Sequence, residues 1–561
     1  MTSPTPSPPA RFSALGWLLA VPALLGTLIT LVLPTGQTIW LSFQDGGVLK
    51  ESTYVGTSNY LRLLEESAFW HALGFTLSLT VIPLLVAVVV GPLLALALDR
   101  AGTWPRRAGR IVLSLSVVAF SPVAVAASWL RGLSPDASGL ATLAQELREP
   151  ATAPGTVRLI IAAATFGVVC ALALIAFLPA LRGGAPGPAL LVVGVLVALA
   201  TVAVGLQTFA FGTVLTGGGP QRATETLASL QYGYAFRLAR FGLGASVAAL
   251  TGVILGVLGV VATVVAVAAR LRITVTPRAG RPGAPPDGAG VPQEAGGAQW
   301  PGAGSGAGRP GRRVSPAGVA VGVVALVIVA GVALVLTWPW IDGVLASPAG
   351  PEGALGTQVN TWAPAVAGAV VSVGVAYLAA LGIGGLRPLG RASDWLLLLF
   401  APWLFVGPGP LSVANWQNIR NLDLIDSLPA LVPPLLVSVP ALLVLTLLCR
   451  GLAERAGGDF FGGVFLPSLP MAGILTGAVT LVNAHDLLWP MLVVQNPELV
   501  TTPVAQAARL NGFTGGQPDV GAATPLVVVA VALAALVAAQ VSYLDRLAIT
   551  ANGSHVRGPA A

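Results

Sequence analysis

Charge is what this sequence has least of. Only 9% of its 561 residues are charged, against about 25% in an average soluble domain. A water-facing globular surface cannot be made from so few ions. Lysine is almost missing, with Lys50 its single representative. A nucleotide-cradling G-x-x-x-x-G-K-[ST] loop needs a lysine to reach the β- and γ-phosphates. Lys50 stands in "GGVLKES", outside that pattern, so ATP hydrolysis belongs to another chain. Cysteine is scarce as well: Cys170 and Cys449 lie inside apolar runs and read as small buried side chains, with no disulfide framework. Three histidines, none at metal-ligand spacing from Cys, Asp or Glu, leave no metal site to assign. No nucleophile stands beside a base, so the catalytic site residues are none and the chain reads as a non-enzyme. The apolar runs lack the period-2 alternation of a membrane β-barrel.

What remains is apolar sequence: 55% hydrophobic residues and a mean hydropathy of +0.83. Runs of about 20 residues recur, enough to cross a hydrocarbon core of roughly 30 Å as helices. They predict an all-α integral membrane protein with about twelve transmembrane helices in two parallel six-helix repeats. The first set is placed near 14–42, 70–98, 109–131, 157–181, 187–214 and 242–269. The second is placed near 316–341, 361–386, 394–415, 428–449, 464–493 and 522–544. The domains expected are a disordered tail 1–13, a first transmembrane unit 14–270, a Gly/Pro-rich linker 271–314, a second unit 315–548 and a tail 549–561. The linker has almost no aliphatic residues and cannot bury a core, so it reads as disordered. "MTSPTPSPPARF" lacks the charged start and cleavage site of a signal peptide, and the first span is expected to be retained. The net charge of +7 reads as the positive-inside signal, not as a nucleic-acid surface. Arginines concentrate around 100–110 and in the linker, which places the N-terminus and linker in the cytoplasm. The expected location is the plasma membrane, with lipid as a partner and no nucleic acid.

Two stretches carry a family resemblance. The first is "LTGGGPQRATETLASLQYGYAFRLARFGLGASVA", Leu215 to Ala248. It is similar to the loop between spans five and six in the inner-membrane permeases of binding-protein-dependent ABC importers for carbohydrates, the maltose and glycerol-phosphate type. "VGTSNYLRLLEESAFWHALGFTLSLT" at 55–80 and "SPVAVAASWLRGLSPDASGL" at 121–140 add to it. The second is "FLPSLPMAGILTGAVTLVNAHDLLWPMLVVQNPELVTTPVA" at 465–505, which resembles the other permease subunit of the same systems. "LDLIDSLPALVPP" at 422–434 does too. The chain thus looks like two permease subunits fused through the linker.

The resemblance implies the following. An extracytoplasmic substrate-binding protein would meet the loops at Gly217, Gly218, Gly219, Pro220 and Thr224, and at Glu498, Thr502 and Pro503. A separate cytoplasmic ABC ATPase would hold ATP and Mg; no cofactor belongs to this chain. Asp486 and Trp489 are candidates for the translocation path; His485 and Asp486 form an ionisable pair, which the resemblance places near the outer end of span five, where contact with solvent or a loop is the alternative. Family members carry a coupling helix before span five. Here the second-half stretch retains only Glu454, Arg455, Gly457 and Gly458, and the first half shrinks to "LRGGAPGPALL" at 181–191. Degenerate coupling loops open an alternative, a permease-like protein that has lost its ATPase and acts as an assembly or sensory partner. Gly252 and Gly256 form G-x-x-x-G and read as helix packing, and His71 as a hydrogen-bonded residue at the membrane edge.

Overall fold

The computed structural model of the chain describes residues 10–46, 52–132, 141–183, 186–276, 315–346, 350–511 and 518–551. Lys50 and most of the expected linker lie outside the described residues. Helix dominates, as continuous apolar runs require in lipid, where each backbone polar group must be satisfied inside its own segment. Nine helices among the described residues are long and apolar enough to span a membrane. The protein is an all-α, multi-pass membrane protein.

Five spans of the first half pass as single candidates, Ala14–Ser42, Ser67–Ala101, Ala153–Arg182, Pro186–Leu215 and Phe241–Ala268, the fourth of these with a break between Leu206 and Ala210. The third is a pair, Thr103–Val118 and Pro122–Arg131, meeting at 81°. The second half is less regular. Pro316–Ala346, Leu355–Leu386, Phe461–Ala484 and Leu526–Arg546 are long enough to span. The helix expected at 394–415 is absent. In its place are 3-10 turns over Gly390–Leu399 and Ala401–Trp403, then an open stretch before the helix Ser412–Asn421. Pro402, Pro408 and Pro410 lack the N–H that a helix needs there. The expected 428–449 span shortens to Val439–Ala453, because Pro429, Pro433 and Pro434 hold its start in a 3-10 turn and extended chain. The expected 464–493 span stops at Ala484 and resumes as Leu488–Val493. By length and composition nine helices and one bent pair among the described residues pass the test for a span, so the count of twelve is not confirmed.

The halves are interleaved. The first helix of the chain crosses over to pack on Leu355–Leu386, and Pro316–Ala346 crosses back onto Ser67–Ala101. Glycines allow both crossings. An added Cβ at Gly382 would lie 2.4 Å from the Gly16 carbonyl oxygen, and one at Gly322 would lie 2.3 Å from the Ala101 Cβ. Each half thus lends its first span to the other, a two-fold exchange. The G-x-x-x-G pair divides: a Cβ at Gly256 would touch Pro402, while Gly252 faces open space. A close approach to the second half lies at Gly259, where a Cβ would lie 2.3 Å from the Ala401 carbonyl oxygen.

Four short strands complete the fold. β1 (Gln44–Asp45) pairs with β2 (Thr53–Tyr54), and β3 (Arg272–Val275) pairs antiparallel with β4 (Leu547–Thr550). β3 lies at the start of the segment assigned to the linker, and β4 runs from the second unit to Thr550. β3 and β4 mark one end of the helices, here the linker face. The loops at 216–240 and 494–511 mark the other, the loop face.

Candidate functional site

The loop-face turn is built around three glycines. Gly217 and Gly218 take φ of 60° and 87°, a conformation that side chains resist and glycine adopts freely. Thr224 closes the turn from inside. Its hydroxyl lies 2.6 Å from that of Thr216 and donates to the Gly219 carbonyl at 2.6 Å. His71 Nε2 meets the Ala223 carbonyl at 3.1 Å, which ties the turn to the second span. Thr226 then starts a short helix as a capping box with Ser229, accepting from the Ser229 N–H. This satisfies donors that a helix start otherwise leaves free.

Beside the turn lies an open cavity of about 530 Å³, lined by Gly217–Gly219, Arg222, Glu225, Tyr234 and Arg237. Its polar wall is a relay. Arg222 Nε donates to Glu225 at 2.6 Å and sits 6.0 Å above the Tyr234 ring, while the Tyr234 hydroxyl donates to Glu66 at 2.5 Å. That bond, with Arg62 beside it, holds the Glu66 carboxyl below its ordinary range. Burial, then the Glu66 bond, raises the Tyr234 phenol. The Glu225 bond raises the Arg222 guanidinium. Arg237 is exposed in the same wall.

The second loop-face segment is packed differently. Glu498 is exposed, with its carbonyl accepting from Asn360 at 2.8 Å. Thr502 and Pro503 are buried. The Thr502 N–H donates to the Thr361 hydroxyl at 2.8 Å, and its own hydroxyl lies 3.2 Å from Gln358 Nε2. Nearby, buried Glu352 takes both its carboxylate oxygens to Arg509 at 3.0 and 2.9 Å. Of the residues expected to face a binding protein, Thr224, Thr502 and Pro503 therefore shape the loops from within and present no side chain. Gly217 and Glu498 remain at the surface, while Gly218 is buried and Gly219 and Pro220 are half-buried.

Between the halves, spans are interrupted at matching places. The fifth span of the first half breaks at Gln207–Phe209, and that of the second at His485–Leu487. The third spans break at Ala119–Ser121 and from Leu404 to Leu411. Interrupted backbone at membrane depth persists only where protein or a water-filled space satisfies it. Two glutamines of the first half do this for the second. Gln207 donates to the Phe405 carbonyl at 2.8 Å and accepts from the Gly407 N–H at 2.8 Å. Gln231 donates to the Gly409 carbonyl at 2.7 Å and to Ser412 at 3.0 Å. An aromatic cluster lies alongside, with Phe236 and Phe241 of the first half 5.8 and 5.5 Å from Trp416 of the second. Sequence reasoning passed over Gln207 and Gln231. The signal was there, since an amide inside an apolar run costs several kcal/mol, roughly 2–7, unless it finds a partner.

Asp486 starts the helix Leu488–Val493 by accepting from the Leu488 N–H at 3.1 Å. His485 is buried, with Nε2 3.3 Å from the Ala523 carbonyl. Trp489 is a core residue, 1% exposed, donating to the Ala430 carbonyl at 2.9 Å; it fills the wall and does not line an open path. On the linker face, Glu454 is engaged within the chain by Arg272 at 2.5 Å, Arg450 at 3.5 Å and Arg387 at 3.6 Å. Arg455 donates to the Val275 carbonyl at 3.3 Å. Gly457 and Gly458, with φ of 56° and 100°, end the helix and form a turn.

No family model matches the chain. Curated relatives do. The chain is 26% identical over 293 residues to the trehalose/maltose transport system permease protein MalF of Thermococcus litoralis, covering 44% of this chain and 90% of that protein. It is 27% identical over 270 residues to the multiple sugar-binding transport system permease protein MsmF of Streptococcus mutans, with 44% and 92% covered. A shorter match, 30% identical over 88 residues, is to the trehalose transport system permease protein SugA of Mycobacterium tuberculosis, covering 15% of this chain and 29% of that protein. The homologues are sugar ABC transport permeases, and each longer match uses most of one permease but under half of this chain.

Proposed function

We propose that the chain is the transmembrane permease component of a binding-protein-dependent ABC importer for a sugar or related polar solute, with two permease units fused in one polypeptide. The observation that carries this is the interleaved two-fold plan with spans three and five interrupted opposite one another. Interrupted spans at the interface of two repeats are where transporters build a solute path. Relatives named as sugar permeases supply the substrate class, and they favour import over the uncoupled alternative.

In this reading the protein sits in the inner membrane, with the N-terminus and linker cytoplasmic and the loop face extracytoplasmic. The Gly217–Pro220 turn and the exposed Glu498 border the surface for a substrate-binding protein. A separate ATPase, which holds ATP and Mg, meets the linker face. Movement between open states requires that these partners bind the two states unequally. The test is affinity purification of the chain from native membranes with identification of what accompanies it, followed by uptake of radiolabelled trehalose and maltose. Recovery of a binding protein and an ATPase with saturable uptake supports the reading. Recovery of neither, with no uptake, overturns it.

A further inference from the structure

The two strands on the linker face repeat a sequence. Arg270-Leu271-Arg272-Ile273-Thr274 follows the last span of the first half, and Arg546-Leu547-Ala548-Ile549-Thr550 follows the last span of the second. Both read R-L-x-I-T. They pair antiparallel with Ile273 opposite Ile549, so the two copies meet about their equivalent isoleucines. Each strand then lies across the fourth span of the other half. β3 packs on Val439–Ala453 and β4 on Ala153–Arg182.

The seats match as well. Each fourth span carries Arg-Gly at or near its end, Arg182-Gly183 and Arg450-Gly451. A Cβ at Gly183 would lie 2.1 Å from the Ile549 carbonyl oxygen, and one at Gly451 would lie 2.1 Å from that of Ile273. Only glycine fits under either strand. Ions fasten the same points. Asp545, just before β4, accepts from Arg107, Arg110 and Arg182. Arg272 in β3 pairs with Glu454. Ile273 and Thr274, neighbours that point to opposite faces of the strand, are both buried, as are Leu547 and Ala548. An isolated two-stranded ladder is marginal in water; this one is covered on both faces.

We propose that the β3–β4 ladder is a cross-brace joining the linker-face ends of the two fourth spans. In each half it occupies the place where the fourth span turns back into the fifth. In the first half only three positions separate the two helices, Arg182 from Pro186, whereas in the second half residues 454–459 do so. The surface offered to a linker-side protein partner is consequently one-sided, on the second-half turn 454–460.

The test is cysteine accessibility in intact membranes, with the parent chain as blank because Cys170 and Cys449 are buried and free. Thr274→Cys should react with an impermeant maleimide about tenfold or more slowly than Asp459→Cys on the exposed turn, since labelling must wait for local opening. Gly183→Leu and Gly451→Leu, in opposite halves, should each raise the Thr274→Cys rate toward that of Asp459→Cys, whereas Gly252→Leu, facing open space, should leave it slow. Thr274→Cys with Ala548→Cys should join the two halves through a disulfide after the linker is cut, even where a glycine variant folds poorly. Labelling of Thr274→Cys as fast as Asp459→Cys, or an effect of Gly451→Leu without one of Gly183→Leu, would overturn the brace. None of these readouts involves uptake, so failure of the importer reading would leave them standing.

Discussion

In the first half the third span bends once, by 81°, between Val118 and Pro122. At the matching place in the second half the helix is replaced by 3-10 turns and an open stretch from Leu404 to Leu411. One proline at a helix start is tolerated, because its missing N–H would be unpaired there anyway. Pro402, Pro408 and Pro410 within ten residues are not. The unwound backbone survives because Gln207 and Gln231 of the first half reach across and satisfy it. The halves are therefore not interchangeable copies: one supplies polar side chains and the other supplies the opened backbone that needs them.

The same asymmetry recurs in the ions of the linker face, and breaking it there should have the largest effect. Arg450 and Asp394 form a buried pair at 2.7 Å, and among the described residues no other cation lies within ion-pair distance of that carboxylate. Arg450→Met should cost about 3–5 kcal/mol, the usual penalty for stranding one partner of a buried pair. Its counterpart Arg182→Met should cost clearly less, because Asp545 retains Arg107 and Arg110. Thermal melts in detergent would rank them; equal losses would erase the contrast.

Gln207→Leu comes next. It removes the partner of the Phe405 carbonyl and the Gly407 N–H at once, at about 1–3 kcal/mol for each group left unpaired. Gln207→Glu keeps an acceptor for Gly407 only, so it should not rescue stability. Smaller again is Thr226→Ala, which removes the capping box from the loop-face helix and should cost about 1 kcal/mol. Its readout is faster proteolysis of the 216–240 loop with the remaining spans intact.

The smallest effect is a pH dependence confined to the loop face. Glu66 is held below its ordinary value of 4.5 by the Tyr234 hydroxyl. A depressed carboxyl stabilises the fold above its unfolded pKa and loses that contribution as pH falls through the lowered native value. The melting temperature of the parent should therefore exceed that of Glu66→Gln at neutral pH, and the two should converge as the medium is acidified below 4.5. A difference that persists unchanged in acid would remove the Glu66–Tyr234 bond from the account.

The first half was the more legible in sequence. Five of its six predicted spans are long and apolar enough to cross, and the bent pair Thr103–Val118 and Pro122–Arg131 stands at the third, because apolar runs have little choice in lipid but to form helices. The errors gather where apolar composition and backbone chemistry disagree. Residues 394–415 are as apolar as a span, yet their prolines forbid the ladder of hydrogen bonds. Residues 464–493 read as one run, yet His485 and Asp486 mark the break. Trp489 is placed on the path by the family resemblance alone; its indole donates to the Ala430 carbonyl, a contact that composition does not reveal. β3 was lost in a linker defined by composition, although the R-L-x-I-T repeat is visible in both halves once the two are aligned on their last spans.

The central claim is that these two unequal halves form one solute path served by outside partners. Its most direct test is uptake of radiolabelled trehalose and maltose by membrane vesicles carrying the chain with its copurified partners, with ATP supplied on the linker face. The account predicts saturable uptake that requires the binding protein and ATP, and that falls sharply in Gln207→Leu. Uptake that needs neither partner, or none for any sugar with both partners bound, would contradict it.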